Sequence, residues 1–257
     1  MKVAVISDIH ANAVALDAVL DDMARDRVDR IVCLGDLPAL NPQPREVMER
    51  IYALGCPVLR GNVDDRIPRH LSAEPESAIA FRSVVGPVPP DEIARRLHDI
   101  EVWCADQLTG ANNAWLLALP LTLEIPLDDR TTLLCFHGSP RGNMDLIFPA
   151  TPDAALDEFF AGVAAPVMVG GHTHAQMMRP YHDKVLINVG SVGRAVIRAP
   201  MRRLRNAPWA EYGIIGWEDG RLSVDLRRVP FDLERLVAAI HTSGMPHADW
   251  WEAEWRR

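Results

Sequence analysis

Lys2-Val3-Ala4-Val5-Ile6-Ser7-Asp8-Ile9-His10 begins as a short, unbroken apolar run rich in β-branched residues and ends in two side chains that can bind a cation. An unbroken run of this kind predicts a strand covered on both faces, as in the parallel sheets of α/β proteins. If the strand stays extended to its end, alternation places Asp8 and His10 on the same side, within reach of one ion. Taken alone, the triplet reads equally well as a capping aspartate and an incidental histidine. The next thirty residues tip the balance. Asn12 opens a helical pattern with Val14, Leu16, Val19, Leu20 and Met23 on one face, and residues 31–34 form a second apolar strand that runs into Gly35-Asp36-Leu37. Two strands around a helix make a βαβ unit, and both strands carry an aspartate at the C-terminal end, where open α/β folds build their sites.

The pattern recurs along the chain. A helix over residues 44–54 and a strand over 57–59 lead to Arg60-Gly61-Asn62-Val63-Asp64, where Asn62 offers a neutral oxygen to a hard cation or simply forms a Gly-Asn turn. From residue 65 to 120 the strand rhythm stops. An amphipathic helix begins after Pro89-Pro90, and a short second one closes at Pro120. Because this segment leaves the chain directly after Asn62, it is expected to fold over the strand ends as a helical cap. His70, His98, Arg66 and Arg69 lie within it and read mainly as solvated surface, with a substrate-facing role as the alternative.

A hairpin over residues 121–126 and 131–136 ends in His137-Gly138-Ser139-Pro140, and a helix near 153–160 precedes Val167-Met168-Val169-Gly170-Gly171-His172-Thr173-His174. Strands near 176–179 and 185–188 then reach Gly190-Ser191-Val192-Gly193-Arg194. An arginine-rich loop (Arg194, Arg198, Arg202, Arg203, Arg205), two strands near 212–217 and 222–229, and a helix over 232–241 complete the domain. The loop reads as a solvated face, with Arg194 the exception: directly after the glycine-rich turn, it is placed to bind substrate. Trp250, Trp251 and Trp255 in the tail read as packing onto the domain, or else as a homodimer contact.

Composition narrows the options. A chain of 257 residues can bury a large core, and 48% hydrophobic with 24% charged residues excludes a disordered or fibrous protein. A net charge of −8 argues against general nucleic-acid binding, which needs an excess of Lys and Arg. Cys33, Cys56, Cys104 and Cys135 show no Cys-x-x-Cys spacing and read as small core hydrophobes in a reduced compartment. No apolar run approaches the roughly 20 residues of a membrane span, and no secretory leader is evident, so a cytoplasmic protein without membrane contact is expected.

Collected, the strand-end side chains are Asp8, His10, Asp36, Asn62, His137, His172 and His174. Two carboxylates, an amide and four imidazoles exceed what one tetrahedral ion needs and suit two divalent ions, Mn²⁺, Fe²⁺ or Zn²⁺. Asp36, on a middle strand, is the natural bridge. Two ions roughly 4 Å apart can share a hydroxide and bind phosphate oxygens, which allows in-line attack on phosphorus without a protein nucleophile.

In order along the chain, Asp8-Ile9-His10, Gly35-Asp36, Gly61-Asn62, His137-Gly138 and Gly171-His172-Thr173-His174 resemble the five motif blocks of the calcineurin-like metallophosphoesterases. Residues 103–120, His137-Gly138-Ser139-Pro140 and residues 188–193 resemble a bacterial group of that superfamily with a helical cap. The resemblance implies a four-layer α/β/β/α sandwich of two mixed sheets flanked by helices. In that scheme residues 1–64 and 121–245 are the core, 65–120 the cap and 246–257 a C-terminal tail. It implies one metal held by Asp8, His10, Asp36 and His174 and a second by Asp36, Asn62, His137 and His172. Asp36, Asn62 and Asp64 would carry the catalytic roles, with Asp64 supporting other groups rather than ligating metal, and Asn62 and Arg194 would contact substrate.

The chain departs from the pattern at Val63, where the family usually has a histidine that stabilises the phosphate or protonates the leaving oxygen. Loss of a general acid costs about 10²- to 10⁴-fold with a poor leaving group, and His70 or His98 could substitute. The expected function is metal-dependent hydrolysis of a small phosphate ester, a phosphodiester first. The alternatives are a catalytically weak metal-binding module, as the small retromer subunit is within the superfamily, and a Ser/Thr protein phosphatase.

Overall fold

A computed structural model describes residues 1–69, 90–199 and 203–256. Among them, β1 (Lys2–Ile6) lies at the heart of a four-stranded sheet, parallel to β2 (Arg30–Cys33) and antiparallel to β10 (Trp209–Glu218), with β11 (Arg221–Pro230) at the far edge. The second sheet has the order β3 (Thr122–Pro126), β4 (Thr132–Phe136), β5 (Val167–Gly170), β7 (Lys184–Asn188), β6 (Met177–Tyr181). Its three central strands are parallel and its edges antiparallel.

Side-chain alternation separates the layers. Val3, Val5, Val32 and Leu34 point from the first sheet into an apolar layer completed by Leu133, Cys135, Val167, Val169 and Ile187 of the second. On the outer face, Ala4, Ile6 and Cys33 pack against α1 (Ala13–Met23) and α2 (Pro44–Leu54). Beyond the second sheet, Leu134, Phe136, Met168 and Leu186 pack with Leu156 of α6 (Asp153–Phe159). The result is the expected α/β/β/α sandwich, because strands apolar on both faces are stable only when both are covered.

Asn12 caps α1, its side chain accepting from the Ala15 N–H at 3.0 Å, and Pro44 starts α2 where a missing N–H costs nothing. The strand expected over residues 57–59 is reduced to one bridge, Cys33 to Val58. The chain then turns into the short helix α3 (Asn62–Arg66) and a 3₁₀ turn, Ile67–Arg69. In α4 (Pro90–Asp106) and α5 (Gly110–Ala118), Ile93, Leu97, Ile100, Cys104 and Leu116 join the same apolar cluster as α1 and α2.

Two expectations need correction. The arginine-rich segment is no simple loop: β8 (Val196–Ala199) and β9 (Arg203–Asn206) pair antiparallel, Val196 opposite Asn206 and Ile197 opposite Arg205, because β-branched Val196 and Ile197 favour an extended ribbon. Arg66 is not solvated but 8% exposed and ion-paired to Glu101. Arg69 does face solvent, at a 3.1 Å contact with Asp65, and His98 is half-buried. His70 and Arg202 lie outside the described residues. After α7 (Leu233–Thr242), the tail forms α8 (Ala248–Arg256), whose Trp250, Trp251 and Trp255 are buried in the core. All four cysteines are free, with Cys33, Cys104 and Cys135 buried, and no described helix is long and apolar enough to cross a membrane.

Candidate metal centre

The parallel strands of both sheets end at one place. β1 delivers Asp8 and His10, β2 delivers Asp36, and Asn62 stands at the first turn of α3, while β4 supplies His137 and β5 supplies His172 and His174. The approach of Asp8 and His10 differs from the expected mechanism. β1 stops at Ile6, and Asp8 and His10 both have left-handed backbones, φ 56° and 48°. Asp36, His172 and His174 share this conformation, at φ 58°, 66° and 51°. Tight turns, not strand alternation, aim these side chains. Left-handed conformations are uncommon for non-glycine residues and persist where surrounding contacts fix them.

Close backbone approach makes room for the turns. A Cβ on Gly61 would lie 2.1 Å from Asp36 Oδ1, and one on Gly171 would lie 2.1 Å from Ser7 Oγ and 2.6 Å from Asp8 Oδ2. Only glycine fits at either position.

Six of the seven candidate ligands fall into two groups with ligand atoms mutually within 4.8 Å: Asp8, His10 and His174, and Asp36, His137 and His172. His172 and His174 thus sit in different groups. Asp36 Oδ2 lies 3.5 Å from His137 Nε2 and 3.8 Å from His10 Nε2, between the two. Asn62 Oδ1 is 3.1 Å from His137 Nε2, which places it with the second group. Asp8 is fully buried; its Oδ2 accepts from Ser7 Oγ at 2.6 Å and from the His172 N–H at 3.0 Å, whereas Oδ1 has no hydrogen-bond partner. A buried carboxylate oxygen with nothing donating to it is costly unless a cation meets it.

The histidines are oriented for the same purpose. His137 Nδ1 donates to Leu34 O at 3.0 Å and His174 Nδ1 donates to Arg194 O at 2.8 Å. Each therefore turns an Nε2 lone pair inward, as metal-ligating imidazoles do. His174 Nε2 then faces His10 Nε2 and Asp8 Oδ1, both at 3.1 Å, so the three ligand atoms of this group converge on one point. The donor set fits two divalent cations of borderline softness.

Electrostatics prepare these groups. Burial would raise the Asp8 pKa, but His174 and His137 hold it well below the usual carboxylate range. For Asp36 burial likewise opposes ionisation, and His137 outweighs it to give about 2. Burial, reinforced by His174, lowers His10 to about 3, and burial with His137 lowers His172 to about 4. At neutral pH both carboxylates are ionised and both imidazoles neutral, the states that bind metal. His137 goes the other way: burial lowers it, but Asp36 and Asp8 carry it up to about 9, so without a cation it is the proton-bearing member.

Asp64 does not face the ligand atoms as a reactive group. Its Oδ2 accepts from the N–H groups of Asp36 (2.7 Å) and Gly61 (2.9 Å), and its Oδ1 accepts from Leu37 (2.8 Å). It thereby ties the β2 turn to the α3 turn as a positioning residue. Burial and the neighbouring Asp36 push its pKa up to about 7 against those three donors. Val63 is buried in the apolar cluster, and only its N–H reaches the site, donating to Asp36 Oδ1 at 2.8 Å. Arg194 is 5% exposed and stacks over Trp251, 5.4 Å from the ring centroid.

Several supporting residues are not among the candidates that the sequence singles out. Asn41 Nδ2 donates to His10 O at 2.8 Å, and its Oδ1 accepts from Trp251 Nε1 at 3.0 Å. Asn188 Nδ2 donates to Gly171 O at 2.6 Å, and Ser191 Oγ donates to Asp8 O at 2.8 Å. For Asn188 and Ser191 a signal exists, since both belong to residues 188–193, which resemble the capped bacterial group. Asn41 carries none.

Comparisons with known proteins bear on the family. A model of the calcineurin-like phosphoesterase superfamily domain matches residues 1–203. An uncharacterized protein of Methanocaldococcus jannaschii is 25% identical over 259 residues, spanning 95% of this chain and 93% of the relative. The crystal structure of a metallophosphoesterase from Sphaerobacter thermophilus matches with a TM-score of 0.71 and 25% identity, covering 99% of each chain. A hypothetical protein from Pyrococcus horikoshii shares the fold, with a TM-score of 0.73 at 20% identity over 96% of this chain and 94% of that one. With the match extending from the first strand through the last candidate ligand, the chain belongs to the calcineurin-like phosphoesterase superfamily.

Proposed function

We propose that the protein is a dinuclear-metal phosphoesterase that hydrolyses a small phosphate ester, with phosphodiesters the preferred class. The observation that carries this reading is the pair of ligand groups with Asp36 between them, together with the partnerless Asp8 Oδ1. Asp8, His10, Asp36 and His174 would hold one Mn²⁺, Fe²⁺ or Zn²⁺ ion, and Asp36, Asn62, His137 and His172 the other. When bound, such a pair supplies Lewis acidity toward phosphoryl oxygens and a nucleophile at neutral pH.

The chain's own groups set the rest. Ser7 and the His172 N–H fix Asp8, the Val63 N–H fixes Asp36, and Leu34 O and Arg194 O fix the tautomers of His137 and His174. Asn62 orients a phosphoryl oxygen, and Arg194 supplies a buried positive charge beside the ligands. Asp8, His10, Asp36 and His137 are each at most 3% exposed, which favours a small substrate over a bulky phosphoprotein. Val63, with no titratable group, favours substrates whose leaving group needs no protonation.

The Mn²⁺-loaded protein should turn over activated phosphodiesters, and activated monoesters more slowly. No turnover on either class, or turnover undiminished in Asp36→Asn, rejects the reading. Because Val63 leaves the site without the family's histidine, a metal-binding module without catalysis is the rival. It predicts two bound ions and no turnover in the same assay.

A further inference from the structure

Among the described residues, a second concentration of buried charge borders the candidate ligands. Arg66 ends α3, four residues after Asn62, and residues four apart share a helix face. Its exposure is 8%, the same as that of Asn62. The guanidinium NH2 group of Arg66 donates to Glu101 Oε1 of α4, and Glu101 is 3% exposed. Arg66 Nε and Glu101 Oε2 are buried without hydrogen-bond partners. A buried ion pair with open polar atoms on both members contributes little to stability and needs another reason to be there.

Arg194 follows the turn after β7, where its carbonyl accepts from His174 Nδ1 at 2.8 Å and its guanidinium stacks over Trp251. It lies within electrostatic reach of Glu254, Glu101, Asp8 and Asp36, and its own charge acts on His10. Glu101 in turn feels Asp36. Two buried arginines from different elements therefore flank the candidate ligands, Arg66 on the helix that begins with Asn62 and Arg194 with its carbonyl on His174. The forked guanidinium matches phosphate oxygens in pairs, and it acts most strongly where water is excluded.

We propose that Arg66 and Arg194 form a two-guanidinium clamp for the phosphoryl oxygens of the substrate, with Glu101 as the positioning residue that holds the Arg66 fork. The proposal rests on the phosphoesterase reading and deepens it, since the clamp supplies the fixed positive charge that Val63 does not. It also gives α4 a place in the site, because Glu101 is the point at which that helix holds Arg66.

The test uses the full chain loaded with Mn²⁺ and titrated with inorganic phosphate by calorimetry. Arg66→Met/Glu101→Met replaces the buried pair with apolar side chains of similar volume, a change that folded proteins commonly tolerate. The expected result is unchanged metal stoichiometry with phosphate affinity about 10- to 100-fold weaker, the scale of a lost charge-assisted hydrogen bond. Arg66→Lys keeps the charge but loses the planar fork and should weaken phosphate about fivefold. Glu101→Asp, which keeps the carboxylate, should restore most of the affinity that Glu101→Gln loses. If the double variant folds and binds phosphate as the wild type does, the clamp is overturned; if it fails to fold, unchanged affinity in Arg66→Lys overturns it. Wild-type protein that hydrolyses no ester yet loses phosphate affinity in these variants would retain the clamp and remove the phosphoesterase reading. Full hydrolysis in the double variant would do the reverse.

Discussion

Val5 and Asp8 are three residues apart at the start of the chain and both are fully buried, yet burial means opposite things for them. Val5 belongs to the layer between the sheets, where Val3, Val32, Leu133, Val169 and Ile187 exclude water; a fully buried Val or Leu there contributes about 1.5–3 kcal/mol. Asp8 belongs to the chamber at the strand ends, where removing a carboxylate from water costs several kcal/mol unless donors or a cation replace the solvent. The strands thus do two jobs along their length: their middles stabilise the fold, and their ends hold charged groups that the stable middles keep in place. The two regions should respond to substitution in opposite ways.

The sharpest separation is at Asp36. Asp36→Asn keeps the size of the side chain and an oxygen able to accept from the Val63 N–H. It removes the charge placed between the two ligand groups, so under the proposed phosphoesterase function the expected loss in the Mn²⁺-loaded protein is about 10³-fold in kcat, several kcal/mol of transition-state stabilisation. Thermal unfolding gives the counterpart. Wild-type protein should gain about 2.7 kcal/mol from Mn²⁺ at a hundred times its Kd, and the variant should gain much less, while the metal-free proteins unfold within a few degrees of each other. Equal metal stabilisation in both would break the contrast.

Leu133→Ala tests the other side. Leu133 is fully buried between the sheets, and its truncation should cost about 2–5 kcal/mol in urea unfolding. Turnover per folded molecule should stay within about twofold, because no ligand moves. A large fall in kcat at full folding would mean that the two regions are not separable.

Much of this division is legible in the sequence. The apolar runs of β1, β2 and β5 and the Asp, Asn and His residues beyond them identify the buried strands and the candidate ligands, because buried strands and metal sites impose residue types at fixed places, whereas the sandwich is implied only by the family that these motifs resemble. What is not legible is how the chain turns. Five candidate ligands have left-handed backbones, a conformation uncommon for any non-glycine residue, and the tertiary contacts that hold it lie far apart in the sequence. Arg66 looks solvated because charged residues usually are; its burial depends on Glu101, 35 residues away. The β8–β9 ribbon is hidden because arginines dominate a stretch whose backbone pairs regardless of them.

Asp64 stands on the border between the two regions and should show a mixed response. Asp64→Asn leaves one oxygen for the three N–H groups of Asp36, Leu37 and Gly61 that the carboxylate now satisfies. At least one buried donor loses its acceptor, at a cost of about 1–3 kcal/mol. Hydrogen exchange should speed up at those three amides before it does so elsewhere in the sheet. Activity should fall, since the turns that carry Asp36 and Asn62 both loosen. Uniform acceleration across the sheet would make Asp64 part of the general fold rather than a tie between two turns.

The smallest effect is expected at the far end of the chain, where the two regions are joined. Trp251 is fully buried in the apolar cluster, but its Nε1 donates to Asn41 Oδ1, and Asn41 Nδ2 donates to the carbonyl of His10. One side chain thus serves the core with its ring and the chamber with its nitrogen. Trp251→Phe removes the nitrogen and one ring, leaving Asn41 Oδ1 buried without its donor, at about 1–3 kcal/mol in unfolding free energy. If Asn41 serves only the core, metal affinity will not change. If it holds the left-handed turn at His10, metal titration should show the ion bound by Asp8, His10 and His174 weakened a fewfold while the other is unaffected. Such an asymmetry between two neighbouring sites would separate core from chamber at the level of a single hydrogen bond, because stability loss alone would weaken both ions equally.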